Sequence, residues 1–181
     1  KGETLGIVGE SGSGKSTIAK SILGLIEVNN GEILFKNKNR NQISNSLFRK
    51  KVQLIFQDPY SSLNPEISIG SSIIEPMIAH KIFGSKYEME CRAIELLNQV
   101  GLSKNDYKKF PNQFSGGQRQ RIVIARALAL NPEVIICDES VSALDVSIQA
   151  QILNLLSDLK EKYLFTFLFI SHDMSVIKYF T

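Results

Sequence analysis

Apolar positions along this chain recur with two periods, close to two in some segments and close to 3.6 in others, and the segments alternate. Residues 4–8, with Leu5, Ile7 and Val8, predict a short strand running into a glycine-rich loop. Residues 16–25 predict a helix with Ile18, Ile22 and Leu25 on its inner face, and Gly31 opens a second strand over 32–35. The polar, asparagine-rich stretch 36–46 predicts a surface loop, followed by a strand over 52–56. Residues 58–65 form a turn-rich connector, and from about 66 to 111 the pattern is helical. There Tyr87, Cys91, Ile94 and Leu97 recur at helical spacing, with Gly101 as a C-cap. Residues 117–130 predict a helix stopped by Asn131-Pro132. The continuously apolar run 134–137 predicts a central strand covered on both faces. A helix over 146–163 carries the stripe Ile148, Ile152, Leu155, Leu156 and Leu159; a last strand covers 165–170, and a helix starts near Met174.

Alternating strands and helices predict an α/β fold, a mostly parallel sheet flanked by helices with an inserted helical subdomain. At 181 residues the chain is expected to be one domain, with a core over 1–57 and 116–181 and the helical subdomain over about 66–115. Hydrophobic residues at 43% and charged residues at 22% are ordinary for a globular protein. The net charge of +3 is small and scattered, so no nucleic-acid partner is expected, and Arg49-Lys50-Lys51 reads as the solvated start of a strand. Cys91 and Cys137 lack metal-ligand spacing and are expected to be reduced, buried thiols of a cytosolic protein. No apolar run approaches the about 20 residues that a membrane helix needs, and no signal peptide is expected. Lys1 is not an initiator methionine and the last helix is cut short, so the sequence is expected to be a fragment.

The loop Gly9-Glu10-Ser11-Gly12-Ser13-Gly14-Lys15-Ser16-Thr17 fits G-x-x-x-x-G-K-[ST] in full. Glycines let successive backbone N–H groups turn inward as an anion nest, and the helix that follows adds the positive end of its dipole. Lys15 supplies a charge for the β- and γ-phosphates, and the Ser16 hydroxyl is a ligand for Mg²⁺. These features predict a P-loop NTPase that binds nucleotide, without separating kinases, GTPases and transporters. At the end of the apolar run, Asp138 and Glu139 place two carboxylates at the strand edge where parallel sheets gather ligands. Asp138 suits Mg²⁺ and Glu139 suits a base that activates water; strands also end in charged residues simply to reach solvent.

Phe114-Ser115-Gly116-Gly117-Gln118 is a second helix start with an open, glycine-bearing anion site. Here the sequence resembles the ABC ATPase family, whose signature is usually Leu-Ser-Gly-Gly-Gln; Phe114 replaces the leucine. The resemblance covers the whole chain and assigns further roles. Gln57 matches the Q-loop glutamine, implied to reach Mg²⁺ and the attacking water. Ser142-Ala143-Leu144-Asp145 matches the D-loop that crosses a dimer interface, although Asp145 alone reads as a helix N-cap. His172 matches the histidine that contacts the γ-phosphate, although alone it reads as an exposed residue near a helix start. The segments Gln57-Asp58-Pro59-Tyr60-Ser61-Ser62-Leu63-Asn64-Pro65 and Ser140-Val141-Ser142-Ala143-Leu144-Asp145-Val146-Ser147-Ile148-Gln149-Ala150-Gln151 look like those of oligopeptide, dipeptide and nickel importer ATPases.

The resemblance implies two ATPases paired head to tail, with ATP and Mg²⁺ between residues 9–17 of one and Ser115, Gly116, Gly117, Gln118 and Asp145 of the other. It also implies transmembrane permease subunits, an indirect solute-binding protein and a peripheral place on the cytoplasmic face of the cell membrane. A ribosome- or DNA-associated ABC ATPase and an exporter ATPase remain as alternatives. A P-loop kinase would have no need of Ser115-Gly116-Gly117-Gln118.

Overall fold

In a computed structural model, residues 2–10 and 12–180 are described, the side chains of 179 and 180 excepted. Four strands, β1 (Thr4–Val8), β4 (Val52–Ile55), β5 (Val134–Asp138) and β6 (Thr166–Ser171), form one parallel sheet in the order β1-β6-β5-β4. Strands β2 (Leu34–Phe35) and β3 (Lys38–Asn39) pair antiparallel as a separate hairpin. The helices are α1 (Lys15–Ile22), α2 (Asn45–Lys51), α3 (Ile69–Ala79), α4 (Lys86–Gln99), α5 (Gly116–Leu128), α6 (Val146–Tyr163) and α7 (Met174–Phe180).

Alternation along β5 and β6 explains why both sheet faces are covered. Ile135, Cys137, Phe167 and Phe169 enter a core shared with α3 to α7, whereas Ile136, Leu168 and Ile170 enter a smaller one with Ala19, Leu23 and Phe48. Each large side chain removed from water contributes about 1.5–3 kcal/mol. Phe165 and Phe167 add an edge-to-face contact at 4.9 Å. Helices α3 and α4 share the larger core with α5 and the sheet.

Several expectations from the sequence are corrected. On α1, Ile18 is 46% exposed and Leu25 is 52% exposed, because the helix lies on the sheet through the small Ala19 and through Leu23 one turn on. On α4, Tyr87 is 76% exposed and Cys91 is exposed; the buried face is Ala93, Leu96, Leu97 and Val100. The stretch 36–46 is not a plain loop. It holds β3, a 3-10 turn over Arg40–Gln42 and the start of α2, capped by the Ser44 hydroxyl accepting from the Leu47 amide. Arg40 is buried there against the Phe48 ring at 4.2 Å, with its guanidinium donating to the Ile43 carbonyl and to Asn45 Oδ1. Arg49, Lys50 and Lys51 end α2, where positive charge suits the helix dipole, and Lys51 pairs with Glu133 at 2.9 Å. Gly101 does follow the last turn of α4 with φ 78, a backbone that glycine adopts without strain.

Cys137 is fully buried in β5, and that burial pushes its thiol up to about 12. Because thiolate is the reactive form, Cys91 is expected to react with a thiol reagent in the folded protein and Cys137 only after denaturation. Stoichiometric native labelling of Cys137 would contradict this packing. No helix among the described residues is long and apolar enough to cross a membrane.

Candidate nucleotide site

Parallel pairing brings all four strand ends to one edge of the sheet. The register sets Val8 beside Ser171, Asp138 beside Ile170 and Ile55 beside Cys137. That edge therefore carries the glycine-rich loop after β1, Gln57 two residues past β4, Asp138 and Glu139 at the end of β5, and His172 just past β6.

Within the loop, Gly12 and Gly14 adopt φ of 84 and 92, a region closed to most side chains, and this lets the loop fold back before α1 begins at Lys15. The Ser13 amide donates to the Glu10 carbonyl at 3.2 Å. Lys15 is only 6% exposed, and its ammonium spans the loop, donating to the carbonyls of Gly9 at 2.8 Å and Glu10 at 2.7 Å. Thr17 is exposed on α1, and Ser11 lies outside the described residues. The hydroxyl of Ser16 donates to Asp138 Oδ1 at 2.9 Å, joining positions 122 residues apart in sequence.

Glu139 adopts φ 49, unusual for a residue with a side chain. Its amide donates to the Ile170 carbonyl at 2.9 Å, and its carboxylate Oε2 lies 3.4 Å from His172 Nδ1. Ser142 joins this pair to Gln57. Its hydroxyl donates to the Glu139 carbonyl at 2.9 Å and accepts from Gln57 Nε2 at 3.3 Å. Gln57 is therefore held at Ser142, and its side-chain amide is not bonded to Ser16 or Asp138. The bridging role of Ser142 has no local signal in the sequence beyond its place in the D-loop match.

Ser115 caps α5, its hydroxyl accepting from the Gln118 amide at 3.3 Å while Gln118 Oε1 accepts from the Ser115 amide at 3.0 Å. Gly117 has a packing reason besides openness: a Cβ there would lie 2.6 Å from Ile148 Cγ2 on α6. Asp145 sits at the N-cap of α6 but makes no side-chain capping bond. Among the described residues, no hydrogen bond or ion pair joins Ser115, Gly116, Gly117, Gln118 or Asp145 to the glycine-rich loop. The chain thus carries two separate anion-suited helix starts.

No cluster of three His, Cys, Asp or Glu residues suited to a metal is present among the described residues. Ser16 and Asp138 supply two converging oxygens, which fits Mg²⁺, an ion that takes one or two protein oxygens and completes its shell from phosphates and water.

These features define a P-loop α/β protein, a mostly parallel sheet with helices on both faces and a glycine-rich loop at its C-terminal edge. Residues 1–142 match the family described as ABC transporter, and the chain belongs to that family. It is 53% identical over 183 residues to the oligopeptide transport ATP-binding protein OppF of Bacillus subtilis, covering 99% of this chain and 60% of that protein. It is 51% identical over 180 residues to the glutathione import ATP-binding protein GsiA of Pectobacterium atrosepticum, covering 98% of this chain and 29% of that protein. Among solved structures, the dimeric post-hydrolysis state of the ATP-binding cassette MJ0796 bound to ADP and Pi is similar with a TM-score of 0.83 and 34% identity, covering 98% of this chain and 78% of that one. The cbiO1 structure from Clostridium perfringens, part of the ABC transporter complex cbiONQ, has a TM-score of 0.85 and 28% identity, covering 99% of this chain and 71% of that one.

Proposed function

We propose that this chain binds and hydrolyses ATP to drive a membrane importer of peptides or related solutes, nickel included. The Ser16–Asp138 hydrogen bond carries the reading, since it joins the phosphate loop to the acidic strand end through two oxygens suited to Mg²⁺. Lys15 would leave the Gly9 and Glu10 carbonyls for the β- and γ-phosphates, and Gly9, Glu10, Ser11, Gly12, Ser13, Gly14, Ser16 and Thr17 would wrap them. Ser16 and Asp138 would hold Mg²⁺, with Gln57 joining once it releases Ser142; the ion supplies positive charge against the phosphate oxygens. Glu139 accepts a proton from the attacking water, and His172, beside its carboxylate, fixes that carboxylate and faces the γ-phosphate.

The second anion site is completed in a dimer. Ser115, Gly116, Gly117, Gln118 and Asp145 of one protomer close on nucleotide held by the other, which accounts for their separation from the glycine-rich loop within one chain. The dimeric ADP- and Pi-bound neighbour supports this reading. In the same proposal, residues 66–115 form a helical subdomain on a core of 1–57 and 116–181. A groove of about 750 Å³ lies between them, lined by Leu25, Phe56, Pro76, Ala79 and Arg126, and it supports docking of a permease subunit there. The permease holds the ATPase at the cytoplasmic face of the membrane, and the solute-binding protein acts through the permease.

The test is transport by the complete assembly, the full-length chain with its permease and binding protein in lipid vesicles. ATP on the ATPase side is expected to drive peptide accumulation inside. A complex that hydrolyses ATP but moves neither peptide nor nickel would take the solute out of this class, and failure to hydrolyse ATP would end the reading altogether.

A further inference from the structure

Outside the nucleotide site, one side-chain pair ties the segment after Gln57 to the start of α5. Asp58 knots that segment: its carboxylate accepts from the amides of Tyr60 at 2.8 Å and Ser61 at 3.2 Å, while the Ser62 hydroxyl donates to its carbonyl at 2.8 Å. The Tyr60 amide, with the nearby Arg119 charge as a lesser cause, holds the Asp58 carboxyl below the usual carboxylate range. Tyr60 is thereby presented to Arg119, whose guanidinium carbon lies 3.9 Å from the ring centroid. Arg119 directly follows Gln118. Its Nε donates to the Pro111 carbonyl at 2.7 Å, and the same carbonyl accepts the Phe114 amide at 3.2 Å. A single guanidinium therefore touches both the knot behind Gln57 and the turn leading into Ser115.

The other end of the connector is fixed to the same helix. Arg126 donates to the Ser62 carbonyl at 2.9 Å and pairs with Glu75 on α3 at 2.9 Å. Tyr60 itself is 61% exposed, so apolar burial does not account for its place under Arg119. What holds it is the directional attraction between a planar cation and an aromatic face.

We propose that Tyr60 and Arg119 are a positioning pair that carries the nucleotide state sensed at Gln57 to Ser115–Gln118, the segment the same protomer presents to the other ATP site. The pair rests on the dimer reading above. Asp58 directly follows Gln57, so a backbone movement that carries Gln57 away from Ser142 also carries the Asp58 knot, and the knot carries Tyr60. Tyr60 then shifts Arg119, and with it the approach to Ser115. Each ATP site thereby influences the closing surface of its neighbour.

The experiment uses the full-length chain with Glu139→Gln, together with its partner ATPase, and follows ATP-driven association by light scattering. Adding Tyr60→Ala is expected to raise the ATP concentration for half-association roughly twofold to fivefold, the worth of one exposed cation–π contact. ATP binding by protomers too dilute to associate stays unchanged. Tyr60→Phe keeps the aromatic face and is expected to restore the parent midpoint. Arg119→Lys keeps the charge without the planar fork and is expected to behave like Tyr60→Ala, which keeps the test decisive if Tyr60→Ala fails to fold. A merely structural contact would lower the melting temperature and leave the association midpoint in place, and that result overturns the pair. If the Glu139→Gln parent itself neither binds ATP nor associates, the functional reading fails and the pair falls with it.

Discussion

Replacing Glu139 by glutamine is expected to lower ATP turnover by roughly two to four orders of magnitude, the usual contribution of a positioned general base. Binding should survive, because the substitution keeps the volume of the side chain and leaves Lys15, Ser16 and Asp138 untouched. Glutamine fills the same place beside His172, so the neighbouring geometry is preserved while the proton acceptor is lost. ATP bound but not cleaved should hold the dimer closed, and gel filtration with ATP should show a lasting dimer where the parent shows only transient association. Near-normal turnover in this variant would remove Glu139 from the role of base.

A second large effect is expected from Lys15→Ala. The Lys15 ammonium is desolvated and bonded to backbone carbonyls, bonds it can exchange for phosphate oxygens. Hydrogen bonds to charged partners contribute about 1.5–3 kcal/mol each. Losing one or two of them should weaken ATP binding by tenfold to several hundredfold or more, at about 1.4 kcal/mol per tenfold. The Ser16–Asp138 bond does not involve Lys15 and should persist in the variant. Equilibrium titration with a fluorescent ATP analogue reads the effect, and undiminished affinity would remove Lys15 from the phosphate site.

How much of this could be read from the sequence depends on whether the information is local. The phosphate loop is legible because a run of nine residues carries its glycines, lysine and hydroxyl together. The placement of Gln57, Asp138 and His172 at or just past strand ends is legible too, since parallel α/β alternation sends every strand end to the same edge. What the sequence hides is set by partners distant along the chain. Ser142 holds Gln57 across 85 residues, and nothing near either residue announces it. Arg119 and Tyr60 are likewise brought together only by the fold.

Helix faces are misread for a related reason. Large aliphatic residues are natural candidates for the core, yet α1 lies on the sheet through Ala19, where a small side chain allows close approach, and Ile18 is left outward. On α4 the exposed Tyr87 and Cys91 lead the pattern off by part of a turn from Ala93, Leu96 and Leu97. Helix α2 escapes because its seven residues offer only Leu47 and Phe48 as apolar positions, and only Phe48 is buried. Arg40 hides in a polar stretch because its cover, the Phe48 ring, comes from the helix that follows.

The left-handed backbone at Glu139 has a consequence for engineering. A side chain held in that region costs on the order of 1–3 kcal/mol, and glycine would relieve it. Selection for heat resistance alone would therefore favour sequences that relax this corner, and their tolerance to warming would come at the expense of the carboxylate proposed to activate water. On the proposed role of Glu139, thermal endurance and turnover compete at a single position, so a hardened variant has to draw its gains from elsewhere in the fold.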